Sequence, residues 1–91
     1  MTLPAEIYSF VVNEYLLSKG FLPEYMNTEY LKYKKDRQEV RIYRSAFKLP
    51  LKEVQIILQQ LDCPIHEFKA FFQHFMQSKE FEEALKKFSL K

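Results

Sequence analysis

Residues 30–43 read YLKYKKDRQEVRIY, and their periodicity separates an α+β fold from an all-helical one. Apolar and charged side chains alternate along it, which is the period of a half-buried β-strand and not of a helix. If Tyr33 is paired with Val40 in an antiparallel hairpin, Leu31 falls opposite Ile42. One face of the hairpin is then apolar throughout, as a strand pair that covers a core requires.

The turn of this hairpin has weaker support in the sequence. The same register pairs Tyr30 with Tyr43 and leaves Asp36 and Arg37 between the strands. A two-residue turn needs positive φ, which Asn-Gly or Asp-Gly supplies, and neither pair occurs here. We predict a basic two-stranded antiparallel hairpin over about residues 29–44, with a longer loop, or a helix in place of the hairpin, as alternatives.

The N-terminal segment has the period of a helix. Apolar side chains recur from Ile7 to Leu17 at helical spacing, and Pro4 precedes them where a missing amide proton costs little. Gly20, the only glycine, follows this run where a helix needs a left-handed residue to end. We therefore predict a first helix that includes Ile7 and ends at a glycine C-cap.

After Pro50 the apolar residues recur at helical spacing in three runs. The first run ends near Asp62, and an aromatic run begins after Pro64, with Asp62 or Cys63 expected as its N-cap. The apolar face rotates near Ser78, which indicates a kink or break, so we expect two to three C-terminal helices. The apolar positions of the runs are Leu51, Val54, Ile57, Leu58 and Leu61; Phe68, Phe71, Phe72, Phe75 and Met76; and Phe81, Ala84, Leu85 and Phe88.

Together these elements predict a single small α+β domain over residues 1–91. The N-terminal helix, the basic hairpin and the C-terminal helices follow in that order, with the helices packed over the apolar face of the hairpin. A hydrophobic fraction of 47%, with 16% aromatic residues, is sufficient for one core. An all-α bundle is the alternative.

The composition argues against catalysis, cofactors and metals. A single glycine excludes the Gly-rich loops that hold nucleotide phosphates, and His66 and His74, eight residues apart, have no further ligand at helical spacing. Cys63 is the only cysteine, which favours a reducing, cytoplasmic location. The first apolar run is short and interrupted by polar residues, so we expect no membrane segment. We predict no enzyme activity, cofactor or small-molecule substrate.

The charge of the chain is concentrated in the hairpin. Residues 32–44 contain six basic residues against two acidic ones, interleaved with tyrosines, which suits phosphate contacts and base stacking. A solvated strand face that discourages aggregation is the alternative interpretation. The candidate residues for binding nucleic acid or an acidic partner are Lys32, Lys34, Lys35, Arg37, Arg41 and Arg44.

The C-terminal runs carry more aromatic surface than a core of this size readily buries. Aromatic and Met residues are also enriched in protein interfaces. We predict a non-catalytic regulatory or adaptor protein that binds another protein, with a second copy of itself as one candidate partner. The alternative is a winged-helix-like nucleic-acid-binding regulator that uses the basic hairpin. The candidate interface residues are Phe68, Phe72, Phe75, Met76 and Phe81.

Overall fold

A computed structural model describes residues 2–26, 29–43 and 47–89. Helices and two antiparallel sheets confirm the α+β class, and the all-α alternative is wrong. The elements are β1 (Glu6–Tyr8), α1 (Ser9–Ser18), β2 (Leu22–Met26), β3 (Tyr30–Lys35), β4 (Gln38–Tyr43), β5 (Lys48–Pro50), α2 (Leu51–Gln60), α3 (Ile65–Met76) and α4 (Lys79–Ser89).

The hairpin has the predicted register. Tyr33 lies opposite Val40 and Leu31 opposite Ile42, so the alternation of the sequence reports the pairing correctly. Asp36 takes a φ of 55° in the two-residue turn. Asp tolerates this left-handed conformation better than most residues because its short polar side chain bonds locally. The longer loop and the helix are therefore both wrong.

The prediction of a two-stranded sheet is wrong, because a third strand, β2, pairs antiparallel with β3. The strand order is β2-β3-β4. The register of β2 shifts between Pro23 and Tyr25, which leaves Glu24 as a bulge. Proline and a bulge are both typical of edge strands, where an unpaired backbone position costs nothing. They also break the alternation, which is why the sequence pattern did not indicate this strand.

A second sheet joins the N-terminus to the segment before α2. Ile7 of β1 lies opposite Leu49 of β5, and both side chains are buried. The amide of Ser9 donates to the carbonyl of Phe47 at 2.9 Å, and that of Leu51 donates to the carbonyl of Ala5 at 2.8 Å. The prediction that Ile7 belongs to the first helix is therefore wrong, since α1 begins only at Ser9.

Two helices end in the same motif. Gly20 has a φ of 92°, and the Phe21 amide donates to the Leu16 carbonyl at 3.0 Å, which confirms the predicted C-cap. Asp62, with a φ of 53°, ends α2 in the same way, because the Cys63 amide donates to a carbonyl in the last turn. Asp62 is thus not an N-cap of α3.

The next two helix starts complete the helical layer. Pro64 holds the N-cap position of α3 with no side-chain cap, in place of the predicted Asp62 or Cys63. The predicted break near Ser78 is confirmed, since α3 ends at Met76 and α4 begins at Lys79. The Ser78 hydroxyl accepts a hydrogen bond from the Phe81 amide at 3.2 Å, as an N-cap does.

The buried apolar side chains form one cluster between the helices and the sheets. Tyr15 of α1 contacts Phe68 of α3 edge-to-face, with ring centroids 5.1 Å apart. The three-stranded sheet contributes Tyr33, Val40 and Ile42 to the cluster, whereas Arg41 and its alternate neighbours on β4 are exposed. The opposite face of the hairpin therefore meets solvent, and the candidate surface lies there and along the edge of β4.

Candidate protein-binding surface

The aromatic residues of α3 belong to the core. Phe68, Phe72 and Phe75 are buried, so their prediction as interface residues is corrected: they lie in the core cluster, where α3 packs against α1. Met76 and Phe81 are half-buried against the same cluster. Phe81 lies 5.9 Å from the ring of Phe10, in an aromatic group that stabilises the junction of α4 with the rest of the fold. Most of the aromatic side chains of the C-terminal helices therefore pack in or against the core.

The lysines of the hairpin already have local partners. Lys32 pairs with Glu39 at 3.1 Å, and Lys34 pairs with Glu24 of the bulge at 3.6 Å. Lys35 points elsewhere: its Nζ donates to the Lys19 carbonyl at 2.7 Å, at the end of α1. The six predicted basic residues therefore do not form one uncompensated patch.

The two arginines within the described residues are placed differently. Arg37 is exposed in the turn, and the Arg41 guanidinium lies over the ring of Tyr30, 4.8 Å from its centroid. Tyr30 contacts Tyr43 edge-to-face at 6.2 Å, as their pairing in the hairpin requires. Arg44, the sixth predicted residue, lies outside the described residues. Arg41, Tyr30 and Tyr43 thus form a cation–aromatic stack on the solvent face of the sheet.

The edge of β4 is open within the described part of the chain, because the sheet order places β4 outermost and only β3 pairs with it. The turn is closed by the Lys35–Gln38 pair. Backbone groups in an antiparallel strand alternate in direction, so those of Val40 and Ile42 bond to β3. The amides and carbonyls of Glu39 and Arg41 then point away from the sheet, available to another strand.

An apolar groove runs beside this edge, between β4 and α2, with a volume of about 250 Å³. Its two exposed apolar side chains are Tyr43, which is 55% exposed, and Ile56, which is 45% exposed. Sequence reasoning missed Ile56, although an isoleucine outside the buried stripe of an amphipathic helix was an available signal. The groove is lined by Arg41, Ile42, Tyr43, Leu49, Glu53, Ile56 and Ile57. Edge and groove together are called the β4–α2 surface below.

The titratable groups elsewhere serve the fold. Burial raises the pKa of Tyr15, and the neighbouring Cys63 thiol adds to this shift. Lys19 and Glu67 join α1 to α3 at 2.9 Å; the hydrogen bond and the opposite charge raise the pKa of Lys19 and lower that of Glu67.

The predicted absences concern metals, nucleophiles and membranes. Cys63 is buried and donates to the Leu61 carbonyl at 3.6 Å, whereas His66 and His74 are exposed on α3. Within residues 2–26, 29–43 and 47–89, no three metal-ligating side chains lie together. In the same ranges, every helix is too short or too polar to cross a membrane.

Comparison with protein-family models, with curated proteins and with solved structures finds no match to this chain.

Proposed function

We propose that this chain is a non-catalytic regulatory or adaptor protein that binds another protein through the β4–α2 surface. The observation that carries the proposal is an open strand edge next to an apolar groove with Tyr43 and Ile56 exposed. In strand addition, main-chain hydrogen bonds provide affinity and a neighbouring pocket selects side chains. An extended segment laid along β4 uses both at once.

The two edges of the three-stranded sheet support this choice. On β2, Pro23 and the bulge at Glu24 obstruct pairing with a further strand. On β4, the pairing is regular along all six residues, with no proline and no register shift. Proteins normally protect exposed edges, so an edge left regular beside a groove favours a binding role.

The charges of the hairpin suit a partner strand that places a carboxylate beside Arg41. Arg37 and Arg41 flank the open edge, and charged groups near an interface chiefly raise the association rate and select the partner. The exposed aromatic ring of Tyr43 is a side chain typical of interface hot spots. The single buried thiol of Cys63 is consistent with a reducing compartment such as the cytoplasm.

A peptide-display selection tests the proposal. Random peptides selected on the wild-type protein are measured against Ile56→Arg, which places a charge in the groove, and against Ile65→Arg as the control. Ile65 is 37% exposed, lies on α3 and does not line this groove. We expect selected peptides to bind the wild type and the control but not Ile56→Arg, with all three folded by circular dichroism. Equal binding of the selected peptides to Ile56→Arg and to the wild type would refute the proposal. Failure to select any peptide on a wild type that is monomeric under the selection conditions would refute it as well.

Single-stranded nucleic acid is the second candidate ligand, favoured by the stack of Arg41, Tyr30 and Tyr43. Aromatic rings on an exposed sheet face stack bases, and an adjacent cation contacts phosphate. The test is oligonucleotide binding at increasing salt, where Arg41→Ala should weaken binding and flatten the salt dependence. Ile65→Arg should leave this activity nearly unchanged, because Ile65 lies on α3 and is not among the residues that line the groove beside Arg41 and Tyr43. Absence of binding at low salt rejects the candidate.

A further inference from the structure

We infer that the partner at the β4 edge is a second copy of this chain, paired antiparallel to the first about a two-fold axis at Val40. The inference rests on the proposed function, since it names the occupant of the same edge. It is carried by the charge pattern of β4 and by the direction of its free backbone groups.

The sequence of β4, QEVRIY, is complementary to itself in charge. Glu39 and Arg41 stand on either side of Val40 and are both exposed. In an antiparallel pair centred on Val40, Glu39 of each copy lies opposite Arg41 of the other copy. Two cross-strand pairs of opposite charge result, and such pairs stabilise an antiparallel ladder.

The backbone independently supports this register. The outward-pointing amides and carbonyls of β4 are those of Glu39 and Arg41, as the closing pair of the hairpin requires. In an antiparallel pair, two residues that exchange both backbone hydrogen bonds lie directly opposite each other. With the axis at Val40, Glu39 of one copy and Arg41 of the other are such a pair, so the same register satisfies the backbone and matches the charges. An axis at Arg41 instead sets two guanidinium groups opposite each other, which is destabilising.

The ends of the strands fit the same arrangement. Continuing the register places Tyr43 opposite Arg37 of the second copy, which brings an exposed ring to an exposed guanidinium. The pairing is isologous, so both copies use the same surface and the assembly closes as a dimer. Two three-stranded sheets become one six-stranded sheet whose remaining edges are the β2 strands with their proline and bulge.

Sedimentation equilibrium on the full chain tests the inference through three charge variants. Glu39→Arg and Arg41→Glu each create two like-charged pairs, and each should raise the dimer dissociation constant at least about tenfold, or about 1.4 kcal/mol. The double variant, and an equimolar mixture of the two single variants, restore opposite charges and should recover association. Glu24→Arg is the control, because it also removes an exposed ion pair with a lysine, but at the other edge of the sheet.

The outcomes separate the two proposals. A wild type that stays monomeric, single variants that dimerise normally, or a mixture that fails to recover would each overturn the inference. Peptide binding that is sensitive to Ile56→Arg would in those cases leave the proposed function standing. If a reversed charge prevents folding, Glu39→Gln and Arg41→Gln serve in its place, and each should weaken the dimer by a smaller factor.

Discussion

Replacing Tyr15 by Phe tests how the core accommodates a buried hydroxyl. The Tyr15 side chain is 2% exposed, and its oxygen has no hydrogen-bond partner within the described residues. The nearby thiol of Cys63 donates instead to the Leu61 carbonyl. A weak contact with the Cys63 sulfur is all that replaces the hydrogen bonds that the hydroxyl makes to water in the unfolded chain.

The magnitude follows from this missing bond. A buried polar group without a partner costs about 1–3 kcal/mol, and Phe keeps the ring contacts with Phe68 and Phe71. We expect Tyr15→Phe to raise the free energy of unfolding by about 1–2 kcal/mol. For a domain of this size, each 1 kcal/mol corresponds to a rise in Tm of roughly 4–8 °C. Urea and thermal unfolding followed by circular dichroism measure both quantities.

The pH dependence gives a second measurement on the same variant. Burial raises the pKa of Tyr15 above its ordinary value of 10.0, so the folded state holds its proton more firmly than the unfolded state does. The stability that this proton provides is present below about pH 10 and is lost as the pH rises further. The advantage of Tyr15→Phe should therefore widen above pH 10. A variant that is less stable than the wild type by more than about 1 kcal/mol would show that the hydroxyl is hydrogen-bonded, and would refute the reasoning.

Three further changes test other parts of the fold. Gly20→Ala should destabilise the protein by about 1–2 kcal/mol in urea unfolding, because a φ of 92° is strained for Ala, whereas its Cβ meets the Lys35 side chain at an ordinary 3.5 Å; an unchanged midpoint would contradict this. Glu67→Gln should lower stability at neutral pH by removing the bond to Lys19, and the difference from the wild type should vanish as the pH falls below about 4.5, through the lowered pKa of Glu67; a difference that persists in acid would rule out the ion pair as its cause. Phe72→Ala should cost about 3–5 kcal/mol of stability, as a core truncation does, and a variant of wild-type stability would return Phe72 to the candidate interface.

The predictable parts of this fold are those in which local pattern and tertiary structure agree. Alternation along residues 30–43 permits one register that places Leu31, Tyr33, Val40 and Ile42 together on the side that faces the core, so periodicity alone predicts the pairing. The end of α1 was equally predictable from the sequence. A single glycine directly after an apolar helical run supplies the left-handed residue that ends a helix.

The pairing of β1 with β5 could not be predicted from the sequence, for a physical reason. β1 and β5 have three residues each, which is too few to establish a period. Their pairing joins Ile7 to Leu49, which are separated along the chain by α1 and by the whole three-stranded sheet. Such a contact is stabilised by burial in the finished core and not by local preference. Ile7 therefore satisfied the helical pattern of the following residues and was assigned to the wrong element.

The aromatic stripe of α3 shows a different limit. A run of phenylalanines at helical spacing indicates that one face is covered, but not by what. Here α1 covers it, with Tyr15 against Phe68 and Phe10 near Phe75. The exposed apolar side chains of the candidate surface are instead Ile56 and Tyr43. Exposure depends on where neighbouring elements pack, and the periodicity of one segment carries no information about that.

The charges of the hairpin also acquire their meaning only in three dimensions. Counted along the sequence, residues 32–44 suggest a basic patch, yet Lys32 and Lys34 each face a carboxylate, one of them supplied by the bulge of a strand that was not predicted. Exposed ion pairs are weak, and a phosphate can replace a carboxylate, but only by leaving Glu24 and Glu39 close to its own negative charge. A β4 strand from a second copy meets no such repulsion. Its Arg41 brings a positive charge to Glu39, which then lies between that arginine and Lys32. The same ion pairs that weaken the nucleic-acid candidate therefore favour pairing at the β4 edge.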